Sequence, residues 1–301
     1  MEVHVTLSRR SLLAGAAGSA VLLLPGAAVG APPQSGWRER LRELERGYAG
    51  RIGAYVRDTG TGTTLAYRAG ERFPLLSTFK VLVSAAVLDR GRTCEPGLLD
   101  RTVRWTEADL VEYSPVTGEH VADGLTVAQL CHAAITLSDN TAGNLLLRLV
   151  GGPAGLTRYL RRLGDPVSRL DRWETDLNIW SPGERRDTTT PAAIGHDLQA
   201  LTVGRALHAD DRATLVGWMR ATVTGDNRIR AGVPADWTVG DKTGSAGDSY
   251  GAANDVAVAH RPVGAPVILA VYTRRDEPGR PYDETVIAET ARILTGALTA
   301  R

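Results

Sequence analysis

Lysine is nearly absent from this chain: of 35 basic residues only Lys80 and Lys242 are lysines, and all the others are arginines. Cysteine is as scarce, with Cys94 and Cys131 alone, and the absence of any CxxC or metal-type spacing argues against a thiolate metal site. At this level the two thiols either pair or stand apart as small buried residues, and the second reading is preferred. The six histidines (4, 120, 132, 196, 208 and 260) form no HxH or HExxH, which argues against a zinc hydrolase. There is no excess of one charge either. A formal net charge of +1, with no basic block interleaved with aromatics, gives no field to gather nucleic acid or an acidic membrane, so nucleic-acid binding is set aside. Internal repeats and low-complexity linkers are absent as well. Past the N-terminal segment, no apolar run approaches the ~20 residues that a membrane-spanning helix needs.

What the chain does have is ample apolar material. Hydrophobic residues make up 43% and charged residues 23% of 301 positions, the balance of a folded globular protein rather than a disordered one. Its N-terminal segment differs from the rest: SRRSLLAGAAGSAVLLLPGAAVGA carries paired arginines, a short apolar stretch and small residues before Ala31. This pattern is that of a twin-arginine export signal over about residues 1–31, removed on processing. The competing reading is an uncleaved anchor, for which the apolar run is too short. No cysteine follows that would take a lipid.

From Trp37 onward the periodicities change along the chain. Trp37, Leu41, Leu44 and Tyr48 fall on one helical face. RIGAYVRDT and TTLAYRAG, either side of Gly60-Thr61-Gly62, predict a hairpin. WTVGDKTG, GAANDVAVAH and PVILAVYTRR predict three further strands, followed by a helix from about Asp283 to Leu298. Residues 76–220 are mainly helical in pattern. Strands from both ends of the chain sharing one sheet would make the middle an insertion. That predicts one domain over 36–301 with two lobes: a helical subdomain (76–220) set into an α/β subdomain (36–75 and 221–301), with a cleft between them.

Three short segments carry chemistry. In PLLSTFKVLVSAAVL, Ser77 stands where a helix should begin and Lys80 lies three residues on, on the same face. Burying an ammonium is costly, so stability does not explain a lysine here, whereas a desolvated lysine can give up its proton as arginine cannot. A serine beside such a base is an activated nucleophile, and helix-start N–H groups suit an oxyanion. In ITLSDNTAGN, Ser138, Asp139 and Asn140 interrupt an apolar region, which a helix cap alone would equally explain. In VGDKTGSAG, Lys242 ends a strand beside Thr243 and Ser245. It is not a phosphate loop, because the residue before the lysine is Asp241 rather than glycine.

Together, in this order, SxxK, SDN and KTG make the chain resemble the serine β-lactamases and penicillin-binding proteins over nearly its whole length past the leader. DRWETDLNIW adds Glu174 and Asn178 in the ExxLN spacing of the class A β-lactamases. The resemblance implies an α/β (α+β) β-lactamase/transpeptidase-like fold: a five-stranded antiparallel sheet flanked by helices, an all-helical subdomain, and the site in the cleft. It implies Ser77 as nucleophile, Lys80 or Glu174 through water as its base, and Ser138 as the proton donor to the departing nitrogen, assisted by Lys242. Glu174 and Asn178 would direct the deacylating water, on an omega-shaped loop stapled by Arg172 and Asp187. Tyr113 would flank the entrance and Asn140 bind the substrate's acylamino side chain. Arg228, rather than its neighbour Arg230, would support the substrate carboxylate with Lys242, Thr243 and Ser245, and the N–H groups of Ser77 and Ser245 would form the oxyanion hole.

The activity so implied is hydrolysis of penicillin-type antibiotics through an acyl-serine, by an exported, monomeric enzyme without metal or organic cofactor. A D,D-peptidase trapped by penicillin, which has no need of ExxLN, and a tethered penicillin-sensing domain are the alternatives. Two departures stand out. Thr175 follows Glu174 where many members have proline, which leaves open whether that peptide is cis. Cys131 matches one end of the family's frequent disulfide, but Ser84 occupies the other. Cys94 lies ten residues further on, about 15 Å along a helix, too far for a bridge, so no Cys94–Cys131 bond is expected.

Overall fold

The computed structural model describes residues 1–2, 36–247 and 250–299. The export-signal segment thus lies outside the described residues, apart from Met1 and Glu2. The described residues from Gly36 onward form a single unit. Its strands are β1 (Gly50–Asp58), β2 (Thr64–Tyr67), β3 (Thr238–Ala246), β4 (Ala252–His260) and β5 (Val267–Arg275). They pair antiparallel in the order β2-β1-β5-β4-β3, so the first and last parts of the chain do share one sheet.

Strand alternation sorts the two faces of that sheet. On β5, Val267, Leu269 and Val271 pack with helices α1 (Gly36–Tyr48) and α8 (Glu284–Thr299). Ile268, Ala270 and Tyr272 face the opposite way, into the interior shared with the helices of the middle of the chain. The face expected on α1 is only partly right. Trp37, Leu41 and Tyr48 are buried, but so is Glu45, and Leu44 is only half-buried. The carboxylate of Glu45 accepts from Ile52 N, Tyr67 Oη and the Arg68 guanidinium, which satisfies a group that apolar periodicity cannot anticipate.

Between the strands lie α2 (Phe79–Thr93), α3 (Val127–Thr136), α4 (Asn140–Leu149), α5 (Gly152–Leu163), α6 (Pro191–Thr202) and α7 (Ala209–Arg220). Helix α2 is buried on every side from Phe79 to Leu88, the pattern of a helix at the centre of a bundle rather than on its surface. No helix among the described residues is long and apolar enough to cross a membrane.

Both cysteines are free thiols. Cys131 is buried, but Cys94 is exposed, not buried as expected, because it follows the last turn of α2 where the chain leaves the bundle. Burial pushes the Cys131 thiol up to about 12. A thiol reagent should therefore label one equivalent, Cys94, in the native protein, and a second only after denaturation without reductant. Fewer than two thiols in the denatured protein would contradict this.

Candidate active site

The segment that carries Ser77 has an uncommon backbone. Leu76–Thr78 form a single 3₁₀ turn running into α2, and Leu76, fully buried, has φ +47°. Tyr113 (φ 61°), Ser138 (φ 61°) and Asp187 (φ 54°) are also left-handed. Non-glycine residues hold this conformation only where their surroundings over-determine it, and such residues cluster at functional sites.

Helix geometry aims Lys80 back at Ser77: Nζ donates to Ser77 Oγ at 2.9 Å. The same nitrogen donates to Ser138 O at 2.7 Å and Asn140 Oδ1 at 2.5 Å, with Glu174 Oε1 at 3.1 Å and Ser138 Oγ at 3.4 Å. Five oxygens thus surround one fully buried amine. Burial pulls the Lys80 pKa down, and the Glu174 carboxylate opposes that pull. Lys242, also fully buried, donates to Ser138 Oγ at 3.0 Å and to Thr243 O at 2.8 Å. Burial first, and then the charge of Lys80, push the Lys242 pKa well below its ordinary value. Ser138 Oγ therefore sits between two amines.

The SDN segment divides its labour between the cap and the site. Asp139 is the N-cap of α4, accepting from Ala142 N at 2.8 Å, and its carboxylate also takes Val116 N and Thr117 N at 2.9 Å each. With Asp139 so engaged, Ser138 and Asn140 are left facing the cleft. Asn140 is fixed at both ends, since Nδ2 donates to Glu112 O at 2.8 Å while Oδ1 holds Lys80.

Glu174 approaches from the loop between α5 and α6. Its Oε1 accepts from Ser77 Oγ at 3.4 Å, and Oε2 accepts from Asn178 Nδ2 at 2.7 Å. Its backbone is pinned by Asn144 on α4, which accepts from Glu174 N at 2.9 Å and donates to Glu174 O at 3.0 Å. The Glu174–Thr175 peptide is cis. The loop is closed by Arg172 and Asp187, whose side chains pair at 2.6 Å, with Asp187 Oδ1 accepting from the backbone N–H groups of Asp171 and Arg172.

A cleft of about 390 Å³ opens above these groups. Ser77, Tyr113, Ser138, Asn140, Asn178, Arg228, Thr243 and Ser245 line it, and Tyr113 is 58% exposed at its edge. Lys80, Glu174 and Lys242 lie buried beneath. Arg228 and Arg230 separate cleanly. Arg228 donates to Ser245 Oγ at 2.6 Å, whereas Arg230 turns away to Asp241. Arg228 also donates to Gly244 O, Asn254 O and Glu284, so four of its five N–H groups have partners among the described residues. Gly244 explains the glycine of KTG: a Cβ there would fall 2.8 Å from Leu76 Cβ and 3.0 Å from Ser77 N, so only glycine lets β3 lie against the Ser77 turn.

Sequence reasoning missed Asn144, Thr224, Tyr282 and Glu284. Thr224 bonds Thr243 Oγ1 at 2.6 Å, and Tyr282 and Glu284 line the cleft beside Arg228. Only Asn144 carried a local signal, lying on the face of α4 that begins with Asn140, one turn away.

A serine held by a buried amine, with a carboxylate at the same hydroxyl and a second amine behind a second serine, defines a hydrolase working by acyl transfer to serine. The family model described as the β-lactamase enzyme family matches residues 37–298. β-Lactamase AST-1 of Nocardia asteroides is 53% identical over 259 residues, covering 86% of this chain and 83% of that protein. The crystal structure of a β-lactamase from Streptosporangium roseum superposes with TM-score 0.86 at 59% identity, covering 88% of this chain and 99% of that one. The class A β-lactamase of the last common ancestor of Gram-negative bacteria gives 0.83 at 50% identity, covering 88% and 100%. The chain belongs to the β-lactamase enzyme family, in its class A of serine enzymes.

Proposed function

We propose that the protein opens the four-membered ring of penicillins and related antibiotics and releases the product, and so confers resistance. Ser77 Oγ attacks the lactam carbonyl and passes its proton to Lys80 or, through water, to Glu174. The carbonyl oxygen takes up negative charge facing the N–H groups of Ser77 and Ser245. The C–N bond then breaks, and Ser138 protonates the departing nitrogen, its own proton replaced across the Lys80 and Lys242 amines. Glu174 and Asn178 hold water against the resulting ester, and Glu174 takes the water's proton as it attacks. The ester C–O bond breaks, the product leaves as a carboxylate, and Ser77 is restored. Asn140 and Tyr113 position the substrate's side chain, and Arg228, Thr243, Ser245 and Lys242 receive its carboxylate.

The observation that carries this reading is Glu174, whose two oxygens meet Ser77 Oγ and Asn178 Nδ2 at 3.4 and 2.7 Å. A protein that stops at the acyl-serine has no need of a carboxylate and an amide paired to hold water against the ester. The leader supports export by the twin-arginine route, and we take the mature enzyme to act outside the cytoplasm as a monomer free of the membrane. Benzylpenicillin in thousandfold molar excess should be consumed completely. Consumption of only one equivalent, with release of D-alanine from a D-Ala-D-Ala peptide, would establish the peptidase instead.

A further inference from the structure

The segment that carries the nucleophile rests on a single transverse row of the sheet. Gly53 on β1, Tyr272 on β5, Asn254 on β4 and Gly244 on β3 are directly opposed in register, so all four present the same face. That face meets residues 73–78. At the two ends of the row, glycine makes room: a Cβ on Gly53 would fall 2.4 Å from Phe73 Cε2, and one on Gly244 would meet Leu76 and Ser77. In the middle of the row, polar side chains hold on. Tyr272 Oη lies 2.9 Å from Thr78 Oγ1, which in turn donates to Leu75 O at 2.5 Å. Asn254 Nδ2 donates to Pro74 O at 2.8 Å and to Leu75 O at 3.3 Å.

Asn254 and Tyr272 are both fully buried and neither lines the cleft. The two carbonyls that Asn254 holds come immediately before Leu76, where the backbone turns left-handed to raise Ser77. Strand alternation sends the next residue, Asp255, to the other side of the sheet, where it accepts from Ile229 N at 3.0 Å. The backbone carbonyl of Asn254 meanwhile accepts from Arg228 Nη1 at 2.7 Å, so one residue ties the nucleophile turn, β3 and the cleft arginine to a common level.

We propose that Asn254 is a positioning residue for Ser77, acting with Tyr272 to set how far the serine hydroxyl stands above the sheet and hence how it meets a bound carbonyl. This rests on the acyl-serine reading above and deepens it. A misplacement of about 1 Å from outside the chemistry costs about a hundredfold in rate, and loss of two hydrogen bonds at the root of a left-handed turn is the kind of change that allows it.

The test is single-turnover acylation by benzylpenicillin over a range of concentrations, which separates the affinity of the non-covalent complex from the limiting acylation rate. Asn254→Ala should lower the limiting rate by about ten- to a hundredfold while the complex dissociation constant changes less than about threefold, and Tyr272→Phe should lower it in the same sense by less. Val258→Ala, on the same strand and buried in the same core but four residues away, serves as the stability control and should acylate as wild type does. Acylation within twofold of wild type in Asn254→Ala would overturn the inference, as would equal losses in Val258→Ala at a matched melting temperature. Should Asn254→Ala fail to fold, Tyr272→Phe decides alone. A wild type that is never acylated would overturn the functional reading, and this inference with it.

Discussion

Glu174→Ala is expected to react with one equivalent of β-lactam and then all but stop. General-base assistance contributes about 10²- to 10⁴-fold, so steady-state turnover should fall by about that factor while a burst of ring opening remains. The burst survives because alanine removes the group that opposes the effect of burial on Lys80. The Lys80 pKa then falls further, which favours the neutral amine that can take a proton from Ser77 Oγ, 2.9 Å away. The measurement is stopped-flow hydrolysis of a chromogenic cephalosporin, with the burst amplitude read against enzyme concentration. Steady-state turnover within tenfold of wild type would show that another group activates the water. Loss of the burst together with turnover would make Glu174 the indispensable base for acylation as well.

Lys80→Arg should be more damaging, although it keeps the charge. Lysine has a pKa that burial can lower into a useful range, whereas a guanidinium stays protonated and can take no proton from serine. Space argues the same way. Lys80 is fully buried, and α4 approaches so closely that a Cβ on Gly143 would fall 3.0 Å from Lys80 Cε, which leaves no room for a longer fork. Acylation should fall by at least about 10³-fold, at the upper end of what a positioned base supplies. Single-turnover acylation, with a melting curve to confirm folding, checks this. Acylation within tenfold of wild type would mean that Lys80 serves only as a fixed charge.

Much of this site was legible because its residues are chemically out of place. Lys80 and Lys242 are the only lysines in an arginine-rich chain, and Ser138, Asp139 and Asn140 break an apolar run. What could not be read was which of these polar residues serve the fold. Both explanations of SDN hold at once, one for Asp139 and the other for its neighbours. The groups missed outright act through partners remote in sequence: Asn254 reaches Pro74 across 180 positions, and Glu284 meets Arg228 across 56. Local pattern carries no trace of such pairs. Glu45 failed for a related reason, since a buried carboxylate on an apolar helix face makes sense only once Arg68 and Tyr67 are folded over it. The five strands were legible because alternating or short apolar runs bounded by turn residues are a local signal, and the order that places β5 between β1 and β4 is not.

The proposed function turns on a carboxylate beside the acyl-serine that returns the enzyme to its free state. Intact mass recorded through time after mixing wild type with a few equivalents of benzylpenicillin tests it most directly. A transient adduct should give way within seconds to the unmodified mass, with the penicillin recovered as its ring-opened acid. A wild-type adduct that persists for hours would contradict it.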